Sequence, residues 1–178
     1  MGVLEGKVAL VTGSSRGIGA AIARRFAREG ARVAVHGRDR VALAAARSDI
    51  EKAGGRAIDL VAEMTRYAEI EAMRRDIESR LGPVEVLVAN AGGSFTRPGP
   101  LEETSEDGWR SSVDDNLTST FLTLKSFLPG MKERKAGGIV TMSSAAARRP
   151  HPNSPIPYAA AKAGVELLTD VAGGAVMP

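Results

Sequence analysis

Cysteine is absent from the 178 residues, which excludes disulfides, thiolate metal sites and a cysteine nucleophile. Histidine occurs twice, as His36 and His151, too far apart in sequence to form a metal-ligand pattern. Aromatic residues make up only 4% of the chain, and no basic run is interleaved with them. That argues against nucleic acid as a partner. No apolar stretch is long enough to span a bilayer. The opening residues, Met1-Gly2-Val3-Leu4-Glu5-Gly6-Lys7, lack the charged-then-apolar shape of a secretory leader. Asn116-Leu117-Thr118 fits a glycosylation acceptor, and without a leader it reads as a chance match. The expectation is a cytoplasmic enzyme or binding domain with neither a membrane nor a nucleic-acid partner.

What is present is ordinary for a globular protein: 43% apolar and 25% charged residues. The formal charge is +3, with arginines spread along the chain. A solvated surface plus a local anion site accounts for that balance. The length suits one domain, residues 1–178, with no repeat or linker.

The informative stretch is Thr12-Gly13-Ser14-Ser15-Arg16-Gly17-Ile18-Gly19. It follows the apolar run Val8-Ala9-Leu10-Val11 and leads into a helical pattern over residues 20–28. Glycines let backbone approach a ligand closely, and a helix N-terminus offers unpaired N–H groups with a partial positive charge. A strand, a glycine turn and a helix start in so short a segment point to a phosphate site. The spacing G-x-x-x-G-x-G differs from both G-x-G-x-x-G and the P-loop.

Further strands are expected over residues 32–36, 57–62, 84–89 and 139–142. The first helix carries Ile18, Ile22, Ala23 and Phe26 at helical spacing, with Gly30 as its C-cap. Asp39 is placed to cap an alanine-rich helix that runs to Gly54-Gly55. A third helix spans residues 66–80 and stops at Gly82-Pro83. After a Gly/Pro/acidic loop, one long helix is expected over residues 106–135, with Trp109, Val113, Leu117, Phe121, Leu124 and Leu128 as its apolar stripe. A proline-rich loop, with prolines at 150, 152, 155 and 157, leads to a last helix starting near Tyr158.

Strands alternate with helices, and short connections favour parallel pairing with right-handed crossovers. The fold class is therefore a doubly wound α/β sheet of Rossmann type, in three layers. Ligands bind outside the carboxyl ends of such strands. The special residues fall there: the glycine turn, Arg38, Asn90 and Ser144.

Tyr158-Ala159-Ala160-Ala161-Lys162 puts a phenol and an ammonium on one helix face. A free phenol ionises near pH 10, and a cation within a few ångströms favours the phenolate. The pair suits a general acid that protonates a carbonyl oxygen. Taken alone, Y-x-x-x-K is common and reads as a surface tyrosine beside a solvated lysine.

Thr12-Gly13-x-x-x-Gly17-x-Gly19, Asn90-Ala91-Gly92, Asn116, Ser144 and Tyr158-x-x-x-Lys162 occur in one order, each at a strand end or on the expected helix. As an ordered set they resemble the short-chain dehydrogenases/reductases, from about residue 5 to residue 170. The resemblance implies that Gly13, Ser14, Ser15, Ile18 and Gly19 hold the pyrophosphate of a dinucleotide, with Arg16 and Gly17 in the same turn. It implies that Asn90, Ala91 and Gly92 pass beside the adenine-side ribose. Tyr158 would be the catalytic acid/base, and Lys162 would bind the nicotinamide ribose and favour the phenolate. Ser144 would hydrogen-bond the substrate oxygen; Ser143 is the alternative. Asn116 would hold a water linking Lys162 to solvent.

NAD-preferring members tend to carry aspartate where this chain has Gly37. Arg38 follows, and Arg16 lies in the turn. Two guanidinium groups suit a phosphate dianion, so NADP(H) is the expected cofactor. The family's adenine-contacting Asp-Val pair is matched here by Glu63-Met64. The interval from Ser144 to Tyr158 is one residue longer than usual, so the loop shape does not carry over.

Family members continue into a sixth strand, a substrate-covering helical segment and a seventh strand. Residues 173–178 do not replace these. The last strands of the family fold are therefore expected to be missing, leaving the fifth strand as an apolar sheet edge. The expected substrate is a small-molecule or acyl-carrier-bound carbonyl, as in 3-oxoacyl-carrier-protein reductases, with a homodimer or homotetramer as the assembly. Two rival readings are a nucleotide-binding or interaction module without turnover, and an unstable fragment.

Overall fold

The computed structural model describes residues 2–149, 151 and 154–174. Pro150 and Pro152 of the expected loop, and residues 175–178, lie outside the described residues.

Five strands form one parallel sheet in the order β3-β2-β1-β4-β5. They are β1 (Val8–Val11), β2 (Arg32–Gly37), β3 (Arg56–Val61), β4 (Val86–Ala89) and β5 (Gly138–Thr141). β1 is buried along its whole length and sits at the centre, with Leu10 opposite Ala34 on β2 and Leu87 on β4. The order reverses between β1 and β4, the switch point at which a cleft opens beyond the strand ends.

Helices cover both faces. α1 (Gly17–Arg28) and α2 (Arg40–Lys52) pack Ala23, Leu43 and Ile50 against Val11, Val33, Val35 and Val88. α3 (Tyr67–Arg80) and α5 (Ser119–Arg134) pack Ile70, Met73, Ile77, Phe127 and Met131 against Leu10, Ile58, Leu60 and Leu87. Alternate residues of each strand feed opposite faces, as a pleated strand dictates. α2 starts where Asp39 accepts hydrogen bonds from the backbone N–H of Val41 and Ala42, an N-cap worth about 1 kcal/mol.

The alternation and the parallel topology expected from the sequence are present, with local differences. α1 begins at Gly17, so the second half of the glycine turn is already helix. Ile18 is 64% exposed and leaves the apolar stripe to Ala23 and its neighbours. Asp59 sits within β3 without breaking it, because Arg47 Nη1 bonds its carboxylate at 2.7 Å. α7 spans Ile156–Gly174, so it begins before Tyr158, and a short α6 (Ala145–Arg148) precedes the loop.

The long helix expected over residues 106–135 runs without a break from Glu106 to Arg134, but it is not α-helical throughout. α4 (Glu106–Val113) passes through a π-helical segment, Asp114–Thr118, before α5 begins. Hydroxyl groups compete there for main-chain carbonyls: Ser119 Oγ donates to the Asp115 carbonyl at 2.8 Å, and Thr120 Oγ1 to that of Asn116 at 2.7 Å. Such side-chain bonds loosen the regular ladder. The wider turn rotates the face that follows. Beyond it Phe121 is 45% exposed, while Leu124, Phe127 and Met131 reach the core; Trp109, ahead of it, is 41% exposed.

β5 lies at the sheet edge, as expected, with Val140 half exposed. α7 lies on the α5 side, where Thr141 and Thr169 share a 2.7 Å hydroxyl hydrogen bond. Gly164 allows its approach: a Cβ there would stand 2.8 Å from Leu117 Cδ2.

Candidate active site

The turn after β1 is fastened from three sides. Thr12 Oγ1 accepts hydrogen bonds from the N–H groups of Asn90 and Ala91, both at 2.9 Å. Asn90 Nδ2 donates to the carbonyls of Thr12 and Gly13 at 2.9 and 3.2 Å. The third fastening is His36, at the end of β2. Its Nδ1 accepts from the Gly13 N–H at 3.1 Å, and its Nε2 lies 3.0 Å from the Ala62 carbonyl. Close approach requires glycine at two places. A Cβ on Gly13, where φ is +65°, would stand 2.9 Å from Ala91 Cα, and one on Gly19 would stand 2.4 Å from the Gly13 carbonyl oxygen.

A cleft of about 440 Å³ opens at these strand ends. Gly13, Ser15, Arg16, Ile18 and Gly19 line it from the turn. Arg38, Glu63 and Met64 line it from the β2 and β3 ends, and Asn90, Ala91 and Gly92 from the β4 end. α1 starts at this cleft with no side-chain cap on its first turn, leaving its N-terminal N–H groups to a ligand.

Two predicted turn residues take other roles. Ser14 is fully buried; its Oγ donates to the Val11 carbonyl at 2.7 Å and accepts from the His36 N–H at 2.9 Å. It ties β1 to β2 and does not face the cleft. Gly17, with φ of +61°, makes the bend into α1 and is not among the lining residues. Arg38 and Glu63, read separately from sequence, form an ion pair at 3.6 Å.

Lining residues that the sequence did not single out as site residues include His36, Phe95 and Asp115. Burial pushes the Asp115 carboxyl above its ordinary value, against the pull of Arg38. His36 carried one available signal, its place at the end of the second strand beside Gly37.

The second group of predicted residues lies on β5, α7 and the π-helical segment. Lys162 is buried; its Nζ donates to the Met142 carbonyl at 2.7 Å and stands 5.8 Å from the Tyr158 ring centroid. The i, i+4 spacing therefore brings ammonium and phenol together. Burial pushes the Lys162 ammonium below the usual lysine value. Ser143 Oγ lies 2.9 Å from Glu166 Oε1, and Arg148 Nε grips both oxygens of that carboxylate. Arg148, then Ser143, holds the Glu166 carboxyl below its ordinary value. Ser144 Oγ accepts from the Ala146 N–H at 3.2 Å, and as an acceptor it keeps its proton for another partner.

Asn116 is tied into the fold. Its Nδ2 donates to the carbonyls of Gly93 and Ser112, both at 2.9 Å, and its Oδ1 accepts from the Gly93 N–H at 3.1 Å. Both side-chain N–H groups are spent, while Oδ1 keeps a second lone pair that a water can donate to. The side chain also pins the loop after β4 to the π-helical segment. Ser144, Tyr158 and Lys162 are not among the residues lining the cleft.

Among the described residues, no helix is long and apolar enough to cross a membrane. The chain is 38% identical over 165 residues to the glycine betaine reductase ATRR of Emericella nidulans, covering 93% of this chain and 13% of that protein. It is 40% identical over 162 residues to the 3-oxoacyl-acyl-carrier-protein reductase FabG of Vibrio cholerae, covering 91% of this chain and 64% of that one. The chain thus spans less than two thirds of each relative. The structure of an actinorhodin polyketide ketoreductase variant with NADPH superposes with a TM-score of 0.91 at 36% identity, over 99% of this chain and 67% of that one. The family model for short chain dehydrogenases matches residues 7–176. That match covers nearly the whole chain and agrees with a parallel sheet whose strand order reverses beside a clasped glycine turn, and on it the chain belongs to the short-chain dehydrogenase family of oxidoreductases.

Proposed function

We propose that the chain carries the cofactor side of an NADP(H)-dependent oxidoreductase that interconverts a ketone or 3-oxoacyl carbonyl with a secondary alcohol. The observation that supports this reading best is the cleft: an uncapped helix start, a glycine turn and two arginines, Arg16 and Arg38, converge on one concave site. Gly13, Ser15, Ile18 and Gly19 would hold the pyrophosphate, and the arginines a 2′-phosphate. Asn90, Ala91 and Gly92 would flank the adenine-side ribose, and Glu63 and Met64 the adenine. Bound there, a nicotinamide would supply the hydride.

The chain's own part is the proton and its positioning. Tyr158 holds the proton that the carbonyl oxygen takes up, or receives it in the reverse direction. Lys162, buried beside the ring, would bind the nicotinamide ribose. Ser144 donates to the same oxygen as charge develops on it. Ser143 is less suited, because Glu166 engages its hydroxyl. A small-molecule or acyl-carrier-bound carbonyl fits this chemistry.

Nucleotide binding without turnover is favoured by one observation, that the cleft is lined by the glycine turn and not by Tyr158. Paired titrations with NADPH and NADH, followed by nicotinamide fluorescence, and NADPH oxidation over a panel of ketones decide between the readings. NADPH is expected to bind at least about tenfold more tightly than NADH, a difference of about 1.4 kcal/mol. Equal affinities refute the two-arginine reading, and tight binding with no turnover on any ketone refutes the enzyme reading.

A further inference from the structure

His36 is 2% exposed, yet it borders the cleft at the junction of three strand ends. Its main chain is locked on both sides: the His36 N–H donates to Ser14 Oγ at 2.9 Å, and the Ser14 N–H donates to the His36 carbonyl at 2.7 Å. Its ring joins the Gly13 N–H to the Ala62 carbonyl. An N–H can only donate and a carbonyl can only accept, so the two partners dictate the ring's protonation. Nδ1 must be the bare acceptor and Nε2 must carry the hydrogen. A second proton on Nδ1 would point at the Gly13 N–H, donor against donor.

We propose that His36 is a positioning residue for dinucleotide binding: its neutral Nε2–H tautomer clasps the glycine turn in the ligand-holding shape, and protonation at Nδ1 releases the turn. The proposal rests on the reading of the cleft as a dinucleotide site. The charged groups around the ring come from each neighbouring element. Glu63 follows β3 and favours the imidazolium, and Arg38 follows β2 and opposes it. Arg16 of the turn, Asp39 ahead of α2 and Asp115 of the π-helical segment border the same cleft. Burial is the largest influence and pushes the imidazole below its ordinary value, ahead of the Ala62 carbonyl and Glu63, which pull it up. The sign follows. The neutral clasp is fully present above about pH 6.5, the ordinary histidine value, and is lost as the pH falls through the lower folded value.

The test is a titration of the 178-residue chain with NADH from about pH 8 to about pH 5, with circular dichroism confirming the fold at each pH. NADH is the probe because it lacks a 2′-phosphate, whose own titration near pH 6 would mask the effect. Affinity is expected to stay level near neutral pH and then fall by up to about tenfold per pH unit, the limit for one competing proton. His36→Asn keeps an oxygen where Nδ1 stands and does not titrate. Whatever its affinity at about pH 8, it should show no acid decline. His36→Gln keeps only the group facing Ala62 and should bind more weakly at every pH.

A level wild-type profile, tighter binding in acid, or an acid decline that survives in His36→Asn each overturn the proposal while leaving the dinucleotide reading intact. Absence of NADH and NADPH binding at about pH 8 overturns both. Should the variants fail to fold, ¹⁵N NMR of the wild-type ring decides: the Nε2–H tautomer at neutral pH supports the clasp, and the Nδ1–H tautomer refutes it.

Discussion

The two ends of the sheet bear different parts of the site, and they are built differently. On the β3-β2-β1 side, β1 and β2 are almost wholly buried while edge strand β3 is half buried, and the turn at their end is tied by Thr12, Ser14, His36 and Asn90 to β2, β3 and β4. On the β5 side, the strand has Val140 half exposed, and the residues proposed for proton transfer stand on α7 and the loop after β5. The cofactor end is rigid through many short hydrogen bonds among buried groups, which are costly to leave unpaired. The catalytic end relies on fewer ties: Lys162 to Met142, Thr141 to Thr169, and Glu166 to Arg148 and Ser143. Under the proposed function, holding a dinucleotide and moving a proton would therefore be separable demands on this chain.

The sharpest way to separate them is Tyr158→Phe. It should lower ketone reduction about 10²–10⁴-fold while leaving the NADPH dissociation constant within about twofold, measured by turnover and by fluorescence titration. Rates that survive would remove Tyr158 from the acid/base role. The next effect is on stability. Leu10→Ala at the sheet centre should cost about 2–5 kcal/mol in chemical denaturation. Val140→Ala at the edge should stay within about 0.5 kcal/mol. Similar losses at both sites would break the contrast between centre and edge.

Thr12→Val keeps the side-chain shape and removes the acceptor for the N–H groups of Asn90 and Ala91. It should cost about 1–3 kcal/mol and weaken dinucleotide binding, read by denaturation and titration together. Weakened proton transfer with normal binding would mean that the two ends are coupled after all. The smallest effect is Glu71→Gln. Arg74, then Ser126, holds the Glu71 carboxyl at about 2, joining α3 to α5 under the sheet. A lowered folded value means that its contribution is present above the ordinary 4.5 and lost as pH falls toward about 2. The melting-temperature gap between wild type and Glu71→Gln should accordingly be open at neutral pH and close over that range.

Much of this molecule follows from its sequence alone. Runs such as Val8-Ala9-Leu10-Val11 specify strands because alternate residues must be buried on both faces of a covered sheet. Asp39 specifies a helix start because its carboxylate reaches the next turn's N–H groups. The glycine turn and the Tyr158–Lys162 pair are legible because backbone freedom and helical spacing act over a few residues. Tertiary structure alone decided the rest. It turned Ser14 into the sheet and paired Arg38 with Glu63 across two strand ends. It set a π-helical turn into the long helix around Asn116, which spends its amide N–H groups on Gly93 and Ser112. It also placed His36 between Gly13 and Ala62. In most of these cases the partner is at least 22 residues away, too far for any local pattern to encode; a hydrogen bond depends on where folding brings donor and acceptor.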